Sequence, residues 1–218
     1  MRRTGTGTPI VFLHGFGSTK DDYADVVHQT ELDDRPVFAY DAPGCGATTC
    51  TDLSAVSIPF LVDVAVAALD AANIDRCDLV GHSMGALTAL LLADGYRDRV
   101  HSFVNIEGNV APEDCFLSRQ ALEHPAADPE EFLRDFADRF AASRYRSSAL
   151  YAASVQHKVR AGAVAPIFTS MVELSDHGHL LDRFLGLACP TLLVYGDQNS
   201  TLSYLPIHVA LQKGFFAR

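Results

Sequence analysis

The sequence predicts an α/β fold, a mostly parallel β-sheet flanked by helices, and three observations predict it. Runs that are apolar almost throughout recur at residues 9–13, 37–40, 79–80 and 100–106, as expected of parallel strands buried on both faces. Stretches with apolar residues at helical spacing lie between them, the alternation of a right-handed βαβ series. Each run also ends on a group able to do chemistry, namely His14, Asp41, Ser83 and Glu107. Ligands of open parallel sheets bind at the carboxyl ends of the strands.

The first strand, residues 9–13, leads into His14-Gly15-Phe16-Gly17-Ser18. Ser18 with Asp21 three positions on reads as an N-cap, opening a helix through about His28. The strand at 37–40 ends in the turn Asp41-Ala42-Pro43-Gly44-Cys45-Gly46. Ser57 caps a helix with Pro59 in its first turn. Its apolar positions Phe60, Leu61, Val64, Ala65, Ala68 and Leu69 recur at helical spacing, and Asn73 closes it. Leu79-Val80 enters Gly81-His82-Ser83-Met84-Gly85, and an apolar helix with Leu87, Leu90, Leu91 and Ala93 leaves it and stops at Gly95.

Beyond Glu107-Gly108-Asn109 the alternation stops. Asp128-Pro129-Glu130-Glu131 starts a helix with Phe132, Leu133, Phe136, Ala137 and Phe140 on one face. Further helical stretches run over 151–159 and 166–174. Cys189-Pro190-Thr191-Leu192-Leu193-Val194-Tyr195-Gly196-Asp197 reads as a last strand ending in Gly-Asp, and residues 207–213 as a closing helix.

A chain of 218 residues suits one globular domain with a sizeable core. No apolar run is long enough to span a bilayer. The formal charge of −10 argues against nucleic acid or an anionic membrane surface as partner, since both need a basic patch. The five cysteines are odd in number and scattered, which points to a reducing, cytoplasmic setting, and no signal peptide is read at the N-terminus. No Gly-x-Gly-x-x-Gly follows a strand, so no dinucleotide cofactor is expected. His177 and His179 lie beside Asp176, but spacing places no third ligand, so no metal is expected either. The expected partner is a small-molecule substrate; the sequence leaves the oligomeric state open.

The segment 81–85 has the Gly-x-Ser-x-Gly form of a nucleophile elbow between strand and helix. Such a turn strains the serine backbone, and Gly81 and Gly85 leave neighbouring segments room to approach. The hydroxyl then stands clear of the sheet beside the free N–H groups of the following helix. On these residues the chain resembles the α/β-hydrolase family, over roughly residues 8 to 204.

The resemblance implies a serine hydrolase cleaving an ester, thioester or related acyl bond of a small, rather apolar substrate through an acyl-enzyme at Ser83. The family's His-Gly-x-Gly loop corresponds to His14-Gly15-Phe16-Gly17 and implies the amides of Phe16 and Met84 as oxyanion donors. His14, Gly15, Gly81, His82 and Gly85 support that arrangement, and Asp41 has a structural role. Pro190 to Asp197 fits the family's seventh strand, which implies Asp197 as the triad acid; Glu107, after the preceding strand, is the alternative acid. The helical stretch 108–187 corresponds to a cap inserted between the sixth and seventh family strands, with 1–107 and 188–218 forming one discontinuous core.

Two departures qualify the resemblance. The triad histidine follows the acid after a helix and a strand, yet His208 is the sole histidine between Asp197 and Arg218, too close to Asp197 for both. The family's first two strands would precede Pro9, where only a few residues stand. The expectation is a chain clipped at both ends, with an exposed sheet edge beyond the last strand. The competing expectation is a ligand-binding protein on the same fold with Ser83 unreactive.

Overall fold

The computed structural model describes residues 2–123, 128–142, 146–196, 199, 201–205 and 214–217. Their strands are β1 (Arg2–Arg3), β2 (Ile10–Leu13), β3 (Val37–Ala39), β4 (Cys77–His82), β5 (Val100–Ile106), β6 (Thr191–Val194) and β7 (Gly214–Ala217). They form one sheet in the order β1-β3-β2-β4-β5-β6-β7, with β1 antiparallel to β3 and every other neighbouring pair parallel. The helices are α1 (Ile58–Ala71), α2 (Met84–Gly95), α3 (Phe116–Leu122), α4 (Pro129–Ala141), α5 (Arg146–Lys158), α6 (Val164–His177) and α7 (Leu180–Leu185). This is the predicted mostly parallel sheet flanked by helices.

Local chemistry accounts for the elements. Ser57 Oγ accepts the Phe60 N–H at 3.3 Å and caps α1, and Asp128 Oδ1 accepts the Glu131 N–H at 2.9 Å and caps α4. Asn73, at φ 55°, closes the α1 turn. Helix α2 is buried from Met84 through Ala93 and so is apolar on all sides. The segment after β2 differs from expectation. It is a 3₁₀ helix, Lys20–His28, and its cap is Thr19 rather than Ser18: Asp22, not Asp21, reaches back to the Thr19 N–H at 2.9 Å.

Both sheet edges also differ from expectation. Arg2–Arg3 adds an antiparallel strand to β3, and Gly214–Ala217 adds a parallel strand to β6. β6 is therefore not the sheet's edge. Two and four residues are too few to show a period in the sequence, which is why neither strand was legible. The helix read at 207–213 lies outside the described residues.

The sheet's topology places the site. The chain runs from β2 outward to β3, then returns past β2 to β4, so the direction of winding reverses between β2 and β4. Ligands bind at such a reversal, outside the carboxyl ends of the strands. Register then lines up the strand ends. Leu13 pairs with Gly81, His82 with Ile106, and Ile106 with Val194, so the segments that follow these residues emerge side by side. Helices α3 to α7 fall between β5 and β6, and of these α7 packs against α2, with Phe184 edge-on to Phe103 at 6.1 Å.

Candidate active site

Ser83 joins β4 to α2 at φ 51° and ψ −119°, a conformation an L-residue holds only when its surroundings force it. The surroundings do force it. Ser83 N–H donates to Ile106 O at 2.9 Å, which pins the turn to β5. A Cβ on Gly81 would lie 2.5 Å from Ala86 Cα, and one on Gly85 would lie 2.1 Å from Leu13 O. Both positions therefore exclude any side chain, and strand, elbow and helix close on one another there. Among the described residues Ser83 Oγ has no hydrogen-bond partner.

The loop after β2 lies beside this turn. The backbone N–H groups of Phe16 and Met84 likewise have no partner among the described residues, Met84 because it opens a helix. His14 is buried with both ring nitrogens engaged: Nδ1 lies 2.9 Å from Gly15 O, and Nε2 accepts the Ala42 N–H at 2.9 Å. A ring that donates from Nδ1 and accepts at Nε2 is neutral, and burial holds its pKa below the usual histidine value. His14 is thus a brace between two loops. His82 sits over Gly15, where a Cβ would come within 2.7 Å of its Nδ1; burial lowers its pKa as well, against the opposing charge of Glu107.

Asp41 is the second brace. Its buried carboxylate accepts the backbone N–H groups of Lys20 and Ala47, each at 2.9 Å, and pairs with the Lys20 ammonium at 2.7 Å. Burial alone would raise its pKa, but those donors together hold it below the usual value. Glu107, at φ 50°, directly follows β5 and accepts the Gly196 N–H at 2.9 Å. It ties the end of β5 to Gly196, beyond the end of β6. Asp197 and His208 themselves lie outside the described residues.

Ser83 opens into a cavity of about 340 Å³. Phe16, Phe140, Tyr151, Phe168 and Met171 supply apolar walls, and Glu107, Glu113 and Asp114 carry carboxylates, with no lysine or arginine among the described lining residues. The carboxylates of Glu113 and Asp114 are engaged by neighbours: Ser203 Oγ donates to Glu113 at 2.6 Å, and Tyr204 Oη to Asp114 at 2.8 Å. Burial raises the Asp114 pKa. Of the described histidines only His82 lines the cavity. Asp176, His177 and His179 do not gather with other ligands: the described residues hold no group of three or more His, Cys, Asp or Glu able to hold a metal. No described helix is long and apolar enough to cross a membrane.

The family model described as alpha/beta hydrolase fold matches residues 8–157. The chain belongs to the α/β-hydrolase family. Among curated relatives of this hydrolase, the pimeloyl-[acyl-carrier protein] methyl ester esterase of Aeromonas salmonicida is 29% identical over 215 residues, covering 92% of this chain and 80% of the relative. The proline iminopeptidase of Clostridium botulinum is 26% identical over 167 residues, covering 75% and 56%. In solved structures, a carboxylesterase study of Nitrososphaera gargenis gives a TM-score of 0.80 at 16% identity, covering 100% of this chain and 83% of the other. The enol-lactonase of Burkholderia xenovorans LB400 gives 0.71 at 19%, covering 100% and 86%. At such identities the structural likeness speaks for the fold alone. The esterase and the iminopeptidase are hydrolases, and a hydrolase is what the family assignment supports here.

Tyr151, like Glu113, Asp114 and Met171, is a cavity residue that sequence reasoning missed. Its helix shows as a helix in the sequence, but its reach to Phe16 is set by tertiary packing. Glu107's bond to Gly196 likewise had no local signal.

Proposed function

We propose that the chain is a serine esterase acting on a small, uncharged, rather apolar acyl ester. The single observation that carries this reading is Ser83, held at φ 51° on the wall of the cavity with its hydroxyl and the neighbouring Phe16 and Met84 amides free among the described residues. Ser83 attacks the acyl carbon, and the Phe16 and Met84 amides receive the oxyanion. Asp197 is the acid that orients the base, its sequence neighbour Gly196 held by Glu107, and His208 is the residue to test as that base. Residues 108–187 act as the cap over a core of 1–107 and 188–218. Helices α3 to α6 supply its walls. A cavity of about 340 Å³ is at the small end for ligand sites. Its carboxylates, with no described lysine or arginine, favour a neutral ester over an acid-bearing one. The methyl ester activity named for the Aeromonas relative agrees with a small leaving alcohol.

One observation favours a second reading, ligand binding without turnover: His208 follows Asp197 too closely in the sequence for the helix and strand that precede the family's triad histidine. Hydrolysis of a series of neutral and carboxylate-bearing p-nitrophenyl esters decides between them. The esterase reading expects turnover of short neutral esters, lost by roughly 10³-fold or more in Ser83→Ala. Turnover unchanged in that variant, or absent from the folded wild type, would refute it.

A further inference from the structure

We propose that Tyr151 is a positioning residue: from helix α5 it holds the Phe16 loop in the conformation that presents the Phe16 amide to the cavity. The inference goes beyond the esterase reading, and its activity arm rests on that reading. The Tyr151 hydroxyl donates to Phe16 O at 3.1 Å, across 135 residues of sequence. The loop bends against the phenol ring itself: Gly17 sits at φ 77°, and a Cβ there would come within 2.4 Å of the Tyr151 ring and hydroxyl. Only glycine lets the chain turn that closely.

The Phe16 side chain is held from the same side. Its ring lies 4.5 Å from that of Phe168 and edge-on to Phe136 at 5.9 Å, and Tyr151 stacks edge-on to Phe136 at 6.3 Å and beside Phe140 at 5.2 Å. The aromatic cluster and the hydroxyl therefore act on one dipeptide, Phe16-Gly17, whose Phe16 lines the cavity on which Ser83 opens. Burial raises the phenol's pKa well above the usual range, so the hydroxyl remains a donor throughout the pH range of a hydrolase. Helices α4 to α6 thereby have a direct grip on the strand-end loop: a shift of α5 moves the Phe16 carbonyl and, through the Phe16 Cα, the preceding peptide plane whose N–H an oxyanion would meet.

Tyr151→Phe tests this, since it keeps the ring and removes only the hydroxyl. Amide hydrogen exchange of residues 15–18 in the full chain is the first readout, because it reports on the loop whether or not the chain turns over substrate. Exchange about 2- to 10-fold faster in Tyr151→Phe, with amides of β4 and α2 unchanged, is the expected result and matches the net worth of one hydrogen bond. Unchanged loop exchange would overturn the inference, and so would an equal rise across β4 and α2, which would mark general destabilisation. The second readout is ester hydrolysis: kcat falls several-fold with KM within about twofold, the pattern of a group that acts on the transition state. A raised KM at unchanged kcat would mark a substrate contact instead and overturn it. A wild type without turnover sinks the esterase reading alone, and the exchange data still decide for or against Tyr151.

Discussion

Substituting Gly85 by alanine probes the elbow most sharply, because the atoms in its way belong to backbone. The added Cβ would lie 2.1 Å from Leu13 O, 2.5 Å from Leu13 C and 2.5 Å from His14 O. No rotamer relieves those contacts. Leu13 ends β2, which is hydrogen-bonded to β3 on one side and β4 on the other, so it cannot retreat alone. Helix α2 must instead lift away from the end of β2 by about 1 Å, an overpacking change that costs about 1–3 kcal/mol or somewhat more. That displacement also separates the Met84 amide from the Phe16 loop, and a misplacement of about 1 Å lowers a catalysed rate by up to roughly 10²-fold. Urea unfolding should show a lower midpoint at unchanged slope, and hydrolysis should fall further than the lost stability explains. A midpoint shift equivalent to less than about 0.5 kcal/mol, with hydrolysis intact, would refute the close approach of elbow and strand.

Three further expectations follow from the braces around the site. Burial lowers the pKa of His14 and His82 in the folded chain, so as pH falls below the ordinary histidine value of 6.5 the unfolded chain binds protons first and stability drops, by at most about 1.4 kcal/mol per pH unit for each ring. Urea midpoints at pH 7.5 and 5.5, read in an Asp114→Asn background because burial raises that carboxyl and its protonation acts in the opposite sense, check the sign; the carboxylates held low, Asp22, Asp41 and Asp78, lose their contribution only at lower pH, so stability that rises as pH falls between those values would contradict the assignment. Asp41→Ala leaves the Lys20 ammonium and two amides without their acceptor and should cost about 3 kcal/mol by thermal or urea unfolding, whereas a loss under about 1 kcal/mol would mean that water replaces it. Replacing Glu107 by Gln should leave most hydrolysis in place while Asp197→Asn removes it; the opposite order would make Glu107 the triad acid.

Much of this fold was legible because parallel strands buried on both faces leave apolar runs that end abruptly on functional groups. Residues 9–13, 37–40 and 100–106 mark β2, β3 and β5 to within a residue, and the glycines flanking Ser83 announce a turn too tight for side chains. What was not legible depends on contacts between distant segments. His14 reads in sequence as part of an oxyanion loop, yet its ring is a neutral strut to Ala42, set by burial. Glu107 reads as a spare acid but spans to Gly196. The edge strands β1 and β7 are too short to carry a period, and the grip of Tyr151 on Phe16 crosses from helix to loop.

Labelling of the folded chain with a fluorophosphonate, read by intact mass and by the modified peptide, tests the central claim most directly. The account predicts a single adduct on Ser83, formed far faster than on free serine and absent from Ser83→Ala. A folded wild type that forms no adduct, or an adduct that persists in Ser83→Ala, would contradict it.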